Sequence, residues 1–207
     1  MADRKVSERT IRRLSHYARC LRDARSRGDS TVTSSYLSRQ CGISSAAVRK
    51  DLTVFGEFGK QGSGYDVDDL LAQIERILGT CDSPSIIIIG AGNIGRALLE
   101  SGLECTGGYS YSAIFDIDPD LVGTRCAGHI IKPIDDIRST VSGYEHFIAV
   151  IAVTTGEGQK VVNRLAKAGC RAMLSFNLEP LELPEGVELR YMEMSTELDM
   201  LTHSMKT

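Results

Sequence analysis

The sequence predicts an α/β protein in two parts: a basic helical head with a glycine-rich ribbon, then a mainly parallel sheet with helices on both faces. Three observations carry this. Residues 1–65 hold 13 Lys+Arg against 6 Asp+Glu, a net +7, while the remaining 142 residues net −10. The basic part reads helix, glycine turn, helix, ribbon, which is helix-turn-helix wiring with a wing. From residue 85 onward, apolar strand-length runs alternate with amphipathic helix-length segments, the pattern of a doubly covered parallel sheet.

The elements follow in chain order. Residues 8–27 place Ile11, Leu14, Ala18 and Leu21 on one helical stripe, with Ser7 as cap and Gly28 as stop. "GDSTVTS" reads as a loop, 34–40 as a short helix and "CGIS" as a tight turn. Residues 45–55 form the next helix, capped by Ser44 and ended at Gly56. "GEFGKQGSGYDV" reads as a hairpin wing, and 66–78 as an amphipathic helix. The polar stretch 79–85 is the expected boundary. Strands are expected at 85–89, 110–116, 128–131, 146–153, 171–176 and 187–191, with helices at 93–102, 133–141, 157–169 and 194–205.

Composition narrows the function classes. At 42% hydrophobic and 25% charged, both parts can bury a core. No apolar run nears the roughly 18 residues of a membrane span, and "MADRKVSERT" lacks a signal-like apolar segment, so a cytoplasmic protein without membrane partners is expected. Six cysteines (20, 41, 81, 105, 126, 170) form no C-x-x-C, and four histidines show no ligand spacing, so reduced thiols and no metal site are expected.

"IIIIGAGNIGRALLE" sets Gly90, Gly92 and Gly95 in G-x-G-x-x-G spacing between a strand and a helix. Gly90 makes the turn, Gly92 admits a phosphate to the backbone, and Gly95 lets the helix pack on the strand. Ala91, Asn93 and Ile94 complete the loop, whose helix N-terminus offers N–H groups to a pyrophosphate. Asp116, 21 residues beyond Gly95, stands where a Rossmann-type fold uses an acid to accept the ribose hydroxyls, favouring NAD(H) over NADP(H). Asp118 is a second candidate. Val153, Thr154 and Phe176, at later strand ends, are expected near the nicotinamide. No His, Lys or Tyr stands there as acid or base. The cofactor therefore reads as bound rather than turned over, with no catalytic residue and no enzyme.

In the head, Ser44 and Ser45 open a helix that then shows Arg49 and Lys50, a set suited to DNA phosphates and base edges, with Asp51 a candidate partner of Arg49. Lys60 and Gln61 sit at the ribbon tip.

"VRKDLTVFGEFGKQGSGYDV", "GAGNIGRALLE", "FDIDPDLVG" and "MEMSTEL" occur in that order, and the chain over about residues 7–203 strongly resembles the redox-sensing transcriptional repressor family Rex. The resemblance implies a homodimer that binds an inverted-repeat operator in double-stranded DNA when NADH is low and releases it on NADH binding. It also implies a C-terminal helix exchanged between subunits, and an interdomain switch to which Arg13 and Glu193 correspond. Three departures stand out: Ser101 replaces a frequent tyrosine, Glu193 replaces the usual Asp, and "VTT" and "SFNL" replace the usual strand ends. The organisation expected is a winged-helix DNA-binding domain at 1–80, a Rossmann NAD(H)-binding domain at 81–191 and a dimerisation helix at 192–207. The neutral nicotinamide of NADH is expected to enter an apolar pocket between Val153 and Phe176 more easily than the charged ring of NAD+. Two alternatives stay open: an NAD-dependent oxidoreductase with a DNA-binding appendage, and a relative that binds NADH without an operator.

Overall fold

The computed structural model describes residues 6–53, 64–101 and 108–205. The chain divides into two compact units, with the division at Asp82/Ser83.

The first unit holds α1 (Glu8–Ser26), β1 (Thr31–Val32), α2 (Ser34–Cys41), α3 (Ser45–Thr53), β2 (Tyr65–Asp66) and α4 (Val67–Leu78). Each helix starts on a side-chain cap, worth about 1 kcal/mol apiece. Ser7 accepts from the Thr10 N–H at 3.2 Å, Thr33 from Tyr36 at 3.1 Å, Ser44 from Ala47 at 3.2 Å and Asp66 from Asp69 at 2.9 Å. Gly42 and Gly79 end α2 and α4 in the left-handed region, at φ +66° and +71°. The expected stripe of α1 is largely buried: Leu14, Ala18 and Leu21 meet Leu37, Val48, Leu52, Leu70, Leu71 and Ile74 in one core, with Ile11 at its edge.

A charged group sits inside this core. Asp51 of α3 receives two bonds from the Arg13 guanidinium, each 2.6 Å, and one from the Tyr17 hydroxyl at 2.9 Å. Asp51 and Tyr17 are buried, and Arg13 keeps one side to solvent. Hydrogen bonding to Asp51 pushes the Arg13 guanidinium up, and burial together with Asp51 pushes the Tyr17 hydroxyl up. The bidentate pair fixes the rotation of α3 against α1.

Two expectations change here. "GDSTVTS", read as a loop, contains β1, which pairs antiparallel with β2 through Thr31–Asp66 and Val32–Tyr65. Gly64 (φ +82°) passes so close to β1 that a Cβ there would lie 2.6 Å from the Val32 carbonyl oxygen. Asp51, read as a partner of Arg49, instead binds Arg13 and Tyr17, while Arg49 reaches the Ser34 hydroxyl at 3.2 Å. The rest of the expected wing, with Lys60 and Gln61, lies outside the described residues, as do the last two residues of the helix expected at 45–55.

The second unit is built on a seven-stranded sheet in the order β5-β6-β4-β3-β7-β8-β9. The strands are β3 (Ser85–Ile89), β4 (Ser110–Asp116), β5 (Arg125–Cys126), β6 (His129–Pro133), β7 (Phe147–Ile151), β8 (Ala172–Ser175) and β9 (Glu188–Tyr191). All pairings are parallel except β5 with β6. Without β5 this is the doubly wound Rossmann order, with β3 at the switch point between β4 and β7. α5 (Asn93–Glu100) follows β3, α6 (Ile137–Val141) follows a 3-10 turn at Ile134–Asp136, and α7 (Gly158–Lys167) follows β7. The helix expected at 133–141 is thus a 3-10 turn and a short α-helix, because Pro133 still belongs to β6.

Alternate residues of the buried strands feed two cores, one per face. Ile87, Ile89 and Phe115 lie with Ile137, Val162 and Leu165; Ile86, Ile88 and Ile114 lie with Leu99 and Ile131. The chain ends in α8 (Met194–Ser204), which has no buried residue. Its apolar stripe is open, with Met194 75%, Leu198 56%, Leu201 62% and Met205 86% exposed, so its own unit leaves this face uncovered. No helix among the described residues is long and apolar enough to cross a membrane.

Asp51→Ala strands the Arg13 charge and the Tyr17 hydroxyl. The expected loss is about 2–3 kcal/mol, less than for a fully buried pair because water reaches Arg13. Urea unfolding measures it, and a loss below about 0.5 kcal/mol would show that the pair does not hold α3 on α1.

Candidate functional site

The glycine loop leaves β3 at the switch point and each glycine has a separate steric role. Gly90 (φ +104°) passes against β7: a Cβ there would sit 2.5 Å from the Ala152 carbonyl oxygen. Gly95 packs α5 on the loop, where a Cβ would be 1.9 Å from the Gly90 carbonyl oxygen. Gly92 faces open space, with nothing within 4 Å of a Cβ, and it starts α5 without a side-chain cap. An empty position before an uncapped helix N-terminus fits a pyrophosphate. Ala91 is fully buried, whereas Asn93 and Ile94 are exposed. Arg96 of α5 donates its Nε–H to the Ala91 carbonyl at 2.7 Å and closes the loop on itself.

Asp116, the last residue of β4, ties this loop to the sheet. Its Oδ2 accepts the Ala91 N–H at 2.6 Å, and its Oδ1 accepts the Ile117 and Asp118 N–H groups at 2.7 and 3.0 Å. A carboxylate has about four acceptor positions, so about one remains, on Oδ2. This revises the expectation that Asp116 takes both ribose hydroxyls: a second hydroxyl would have to displace a backbone N–H. Asp118 accepts the Asp120 N–H at 2.9 Å and keeps its other oxygen open.

A cavity of about 230 Å³ opens beside the loop. The expected residues Gly90, Gly92, Asp116, Asp118, Val153 and Thr154 line it. So do Ile117, Leu121, Ile134, Glu157, Lys160, Val161 and Arg164, which the sequence reading missed. The last four recur at helical spacing around α7, but that face mixes acid, base and valine and shows no apolar stripe. Lys160 pairs with Glu157 at 3.0 Å, and Arg164 pairs with Asp135. The volume is below the usual range of about 300–1,000 Å³ for a whole ligand pocket, so it fits one nucleoside half of a dinucleotide.

Phe176 lies elsewhere. It packs with Ile86, Ile88 and Leu174 on one face of the sheet, whereas Val153 packs with the Ile87–Ile89 set on the other. The two side chains thus belong to cores on opposite faces, and a ligand touching both must cross the carboxyl edge of the sheet, as an extended dinucleotide does. Asn177 is buried there; its amide donates to the Thr154 carbonyl at 3.2 Å and links the ends of β7 and β8. His146 precedes β7 and is exposed, far along the strand from these ends.

In the head, Ser44, Arg49 and Lys50 are exposed and Ser45 is half-buried, its hydroxyl 3.5 Å from that of Ser35. The Arg49–Ser34 bond ties the middle of α3 to the start of α2. Arg13 is held by Asp51, as above. Glu193 is the residue before α8 and accepts from the Ser195 hydroxyl at 3.2 Å, and Ser101 ends α5 with its hydroxyl on the Leu98 carbonyl at 2.6 Å.

Comparison with known proteins now places the chain. Residues 5–53 match the family "Putative DNA-binding protein N-terminus" and residues 82–178 match "CoA binding domain". The redox-sensing transcriptional repressor Rex of Desulforamulus reducens is 37% identical over 97% of this chain and 96% of its own length. The Rex protein of Pediococcus pentosaceus is 33% identical over 99% of both chains. Among solved structures, the Rex-family repressor RSP in complex with NAD+ and operator DNA is 30% identical with TM-score 0.83, covering 97% of this chain and 92% of that one. RSP in complex with NADH is 27% identical with TM-score 0.81, covering 97% and 94%. The chain belongs to the Rex family of redox-sensing transcriptional repressors. Its relatives are repressors and not enzymes, which sets aside the oxidoreductase alternative.

Gly92→Val tests the loop. The backbone there (φ −73°) suits any residue, and the added side chain meets only the space a phosphate needs. Expected is a loss of NADH affinity of at least about tenfold (about 1.4 kcal/mol) by fluorescence titration, with thermal unfolding moved by less than about 3 °C. Gly95→Val is expected to fail in the opposite sense, through loss of folding.

Proposed function

We propose that this Rex-family chain is a homodimeric repressor that occupies an inverted-repeat operator when NADH is low and leaves it when NADH fills the glycine-loop cleft. The observation that carries the reading is the open Gly92 position beside the acceptor oxygen of Asp116, at the switch point of the sheet. That is a site made to hold a dinucleotide. The solved complexes of RSP with NAD+ and operator DNA, and with NADH, support both ligands for this chain.

On this reading the loop and the α5 N-terminus hold the pyrophosphate, through Gly90 to Gly95, and Asp116 takes one ribose hydroxyl, with Asp118 beside it. Asp116 repels a 2′-phosphate, which selects NAD(H). Val153 and Thr154 on one face, and Phe176 across the edge, receive the rest of the cofactor. The reduced ring carries no charge and loses less on leaving water than the oxidised ring. In the head, the cap Ser44 and Ser45, Arg49 and Lys50 of α3 meet DNA, with Lys60 and Gln61 as further contacts. Two such helices must stand about 34 Å apart to read a palindrome, so a change in subunit geometry is enough to lose the operator. The uncovered stripe of α8 is proposed to pack on the second subunit, with Glu193 at its start and Arg13 as the corresponding switch pair. The protein is proposed to act in the cytoplasm, where the operator and the NADH pool are both accessible.

The test is binding to an inverted-repeat duplex selected from a random pool, measured by gel shift across NADH:NAD+ ratios. Occupancy is expected to fall as the NADH share rises. Linkage requires the duplex to weaken NADH binding by the same factor. Unchanged NADH affinity with and without saturating duplex contradicts the mechanism. Arg49→Ala is expected to cost about 1–3 kcal/mol of duplex binding, roughly 5- to 150-fold, and to leave NADH affinity unchanged.

A further inference from the structure

Two thiols that NADH sensing does not use stand together in the head. Cys20 is buried in the middle of α1, and Cys41 is the half-exposed last residue of α2. Their Sγ atoms are 3.9 Å apart. The geometry points to an oxidisable dithiol: a peroxide joins Cys20 and Cys41 in a disulfide, and the bond lowers operator affinity by displacing the turn that carries α3. The effect on DNA rests on the operator-binding reading; the bond itself does not.

The chemistry closes. The Cys41 thiolate, the more accessible of the two, attacks one peroxide oxygen, the O–O bond breaks, and water leaves with Cys41 as the sulfenic acid. The Cys20 sulfur then attacks that sulfur, the S–O bond breaks, and a second water leaves. Two thiols and one hydrogen peroxide become one disulfide and two waters, and the electron pair given up by the sulfurs reduces the peroxide.

The bond brings the sulfurs from 3.9 Å to about 2 Å. Cys20 has little freedom to move, because its helix neighbours Tyr17 and Leu21 are fully buried and the Tyr17 hydroxyl is bound to Asp51. The shift falls on Cys41. The next residue, Gly42 (φ +66°), begins the turn into α3, and Ser38 of α2 holds that turn through the Ile43 carbonyl at 2.5 Å. Displacement of Cys41 is thus transmitted to the start of α3, where Ser44 and Ser45 lie. Burial, with Cys20 adding to it and Arg19 opposing, pushes the Cys41 thiol up. Cys41 is also near enough to the Tyr17 hydroxyl for their charges to interact. Thiolate is scarce at neutral pH, so the pair answers sustained oxidant rather than traces.

The experiment treats the full chain with hydrogen peroxide and digests one portion with trypsin without reduction. The expected product is peptide 20–22 joined to peptide 40–49, about 2 Da below the sum of the two. The other portion goes to gel shift on the selected duplex, where affinity is expected to fall by at least about tenfold and to return with dithiothreitol. Cys41→Ser and Cys20→Ala are expected to bind the duplex normally and to lose the peroxide response. Oxidation that modifies exposed Cys81 without joining 20 to 41 overturns the dithiol. A joined pair with unchanged duplex affinity overturns its regulatory effect. If the reduced protein binds no duplex at all, the operator reading has failed, and the peptide map still decides whether the disulfide forms.

Discussion

The second unit depends on one carboxylate. Asp116 collects three backbone N–H groups, one from the glycine loop and two from its own strand end. That arrangement holds the loop in place before any ligand arrives, so little ordering cost remains at binding. It also leaves about one acceptor position facing the cavity. Gly90 and Gly95 remove the side chains that would push the loop off the sheet, and Gly92 leaves the space that the loop encloses. The site is apolar along Leu121, Ile134 and Val161 and polar at Asp116, Asp118, Thr154, Glu157, Lys160 and Arg164.

The head uses the same device with the opposite emphasis. Asp51 fixes α3 to α1 through Arg13 and Tyr17, so Ser45 and Arg49, proposed to meet DNA, move as a body with the helix below them. A regulated repressor needs rigid parts whose spacing changes, because packed elements transmit a displacement without absorbing it. The oxidisable thiols lie on this rigid part, between α1 and the turn that leads to α3. Two chemically different redox signals, a reduced nucleotide and a peroxide, would then converge on α3.

Much of this was legible in the sequence wherever the determinant is local. The glycine spacing, the apolar run before it and the acid at the end of β4 sit within 31 residues and specify the loop, the strand–helix unit around it and the ligand class. The caps Ser7 and Ser44 were legible for the same reason, whereas Thr33 and Asp66 were not, because the segments before them read as loop and ribbon. What escaped depends on partners distant in the chain. β1 is two residues long and exists only because β2 pairs with it. Asp51 was matched to Arg49, yet residues two apart on a helix do not face each other, and the true partners lie 34 and 38 positions away. Phe176 and Val153 were joined because both follow apolar strands; strand parity sends them to opposite faces. The α7 contribution to the cavity carries no apolar period and could be seen only once the sheet was assembled.

The claim most exposed to test is that Asp116, already bound to the loop, selects an unphosphorylated ribose. Titration of the intact protein with NADH and with NADPH under the same salt measures it directly. The account predicts NADPH weaker by at least about tenfold, because a 2′-phosphate offers no hydrogen to Oδ2 and meets a like charge. Equal affinities for the two cofactors would contradict it.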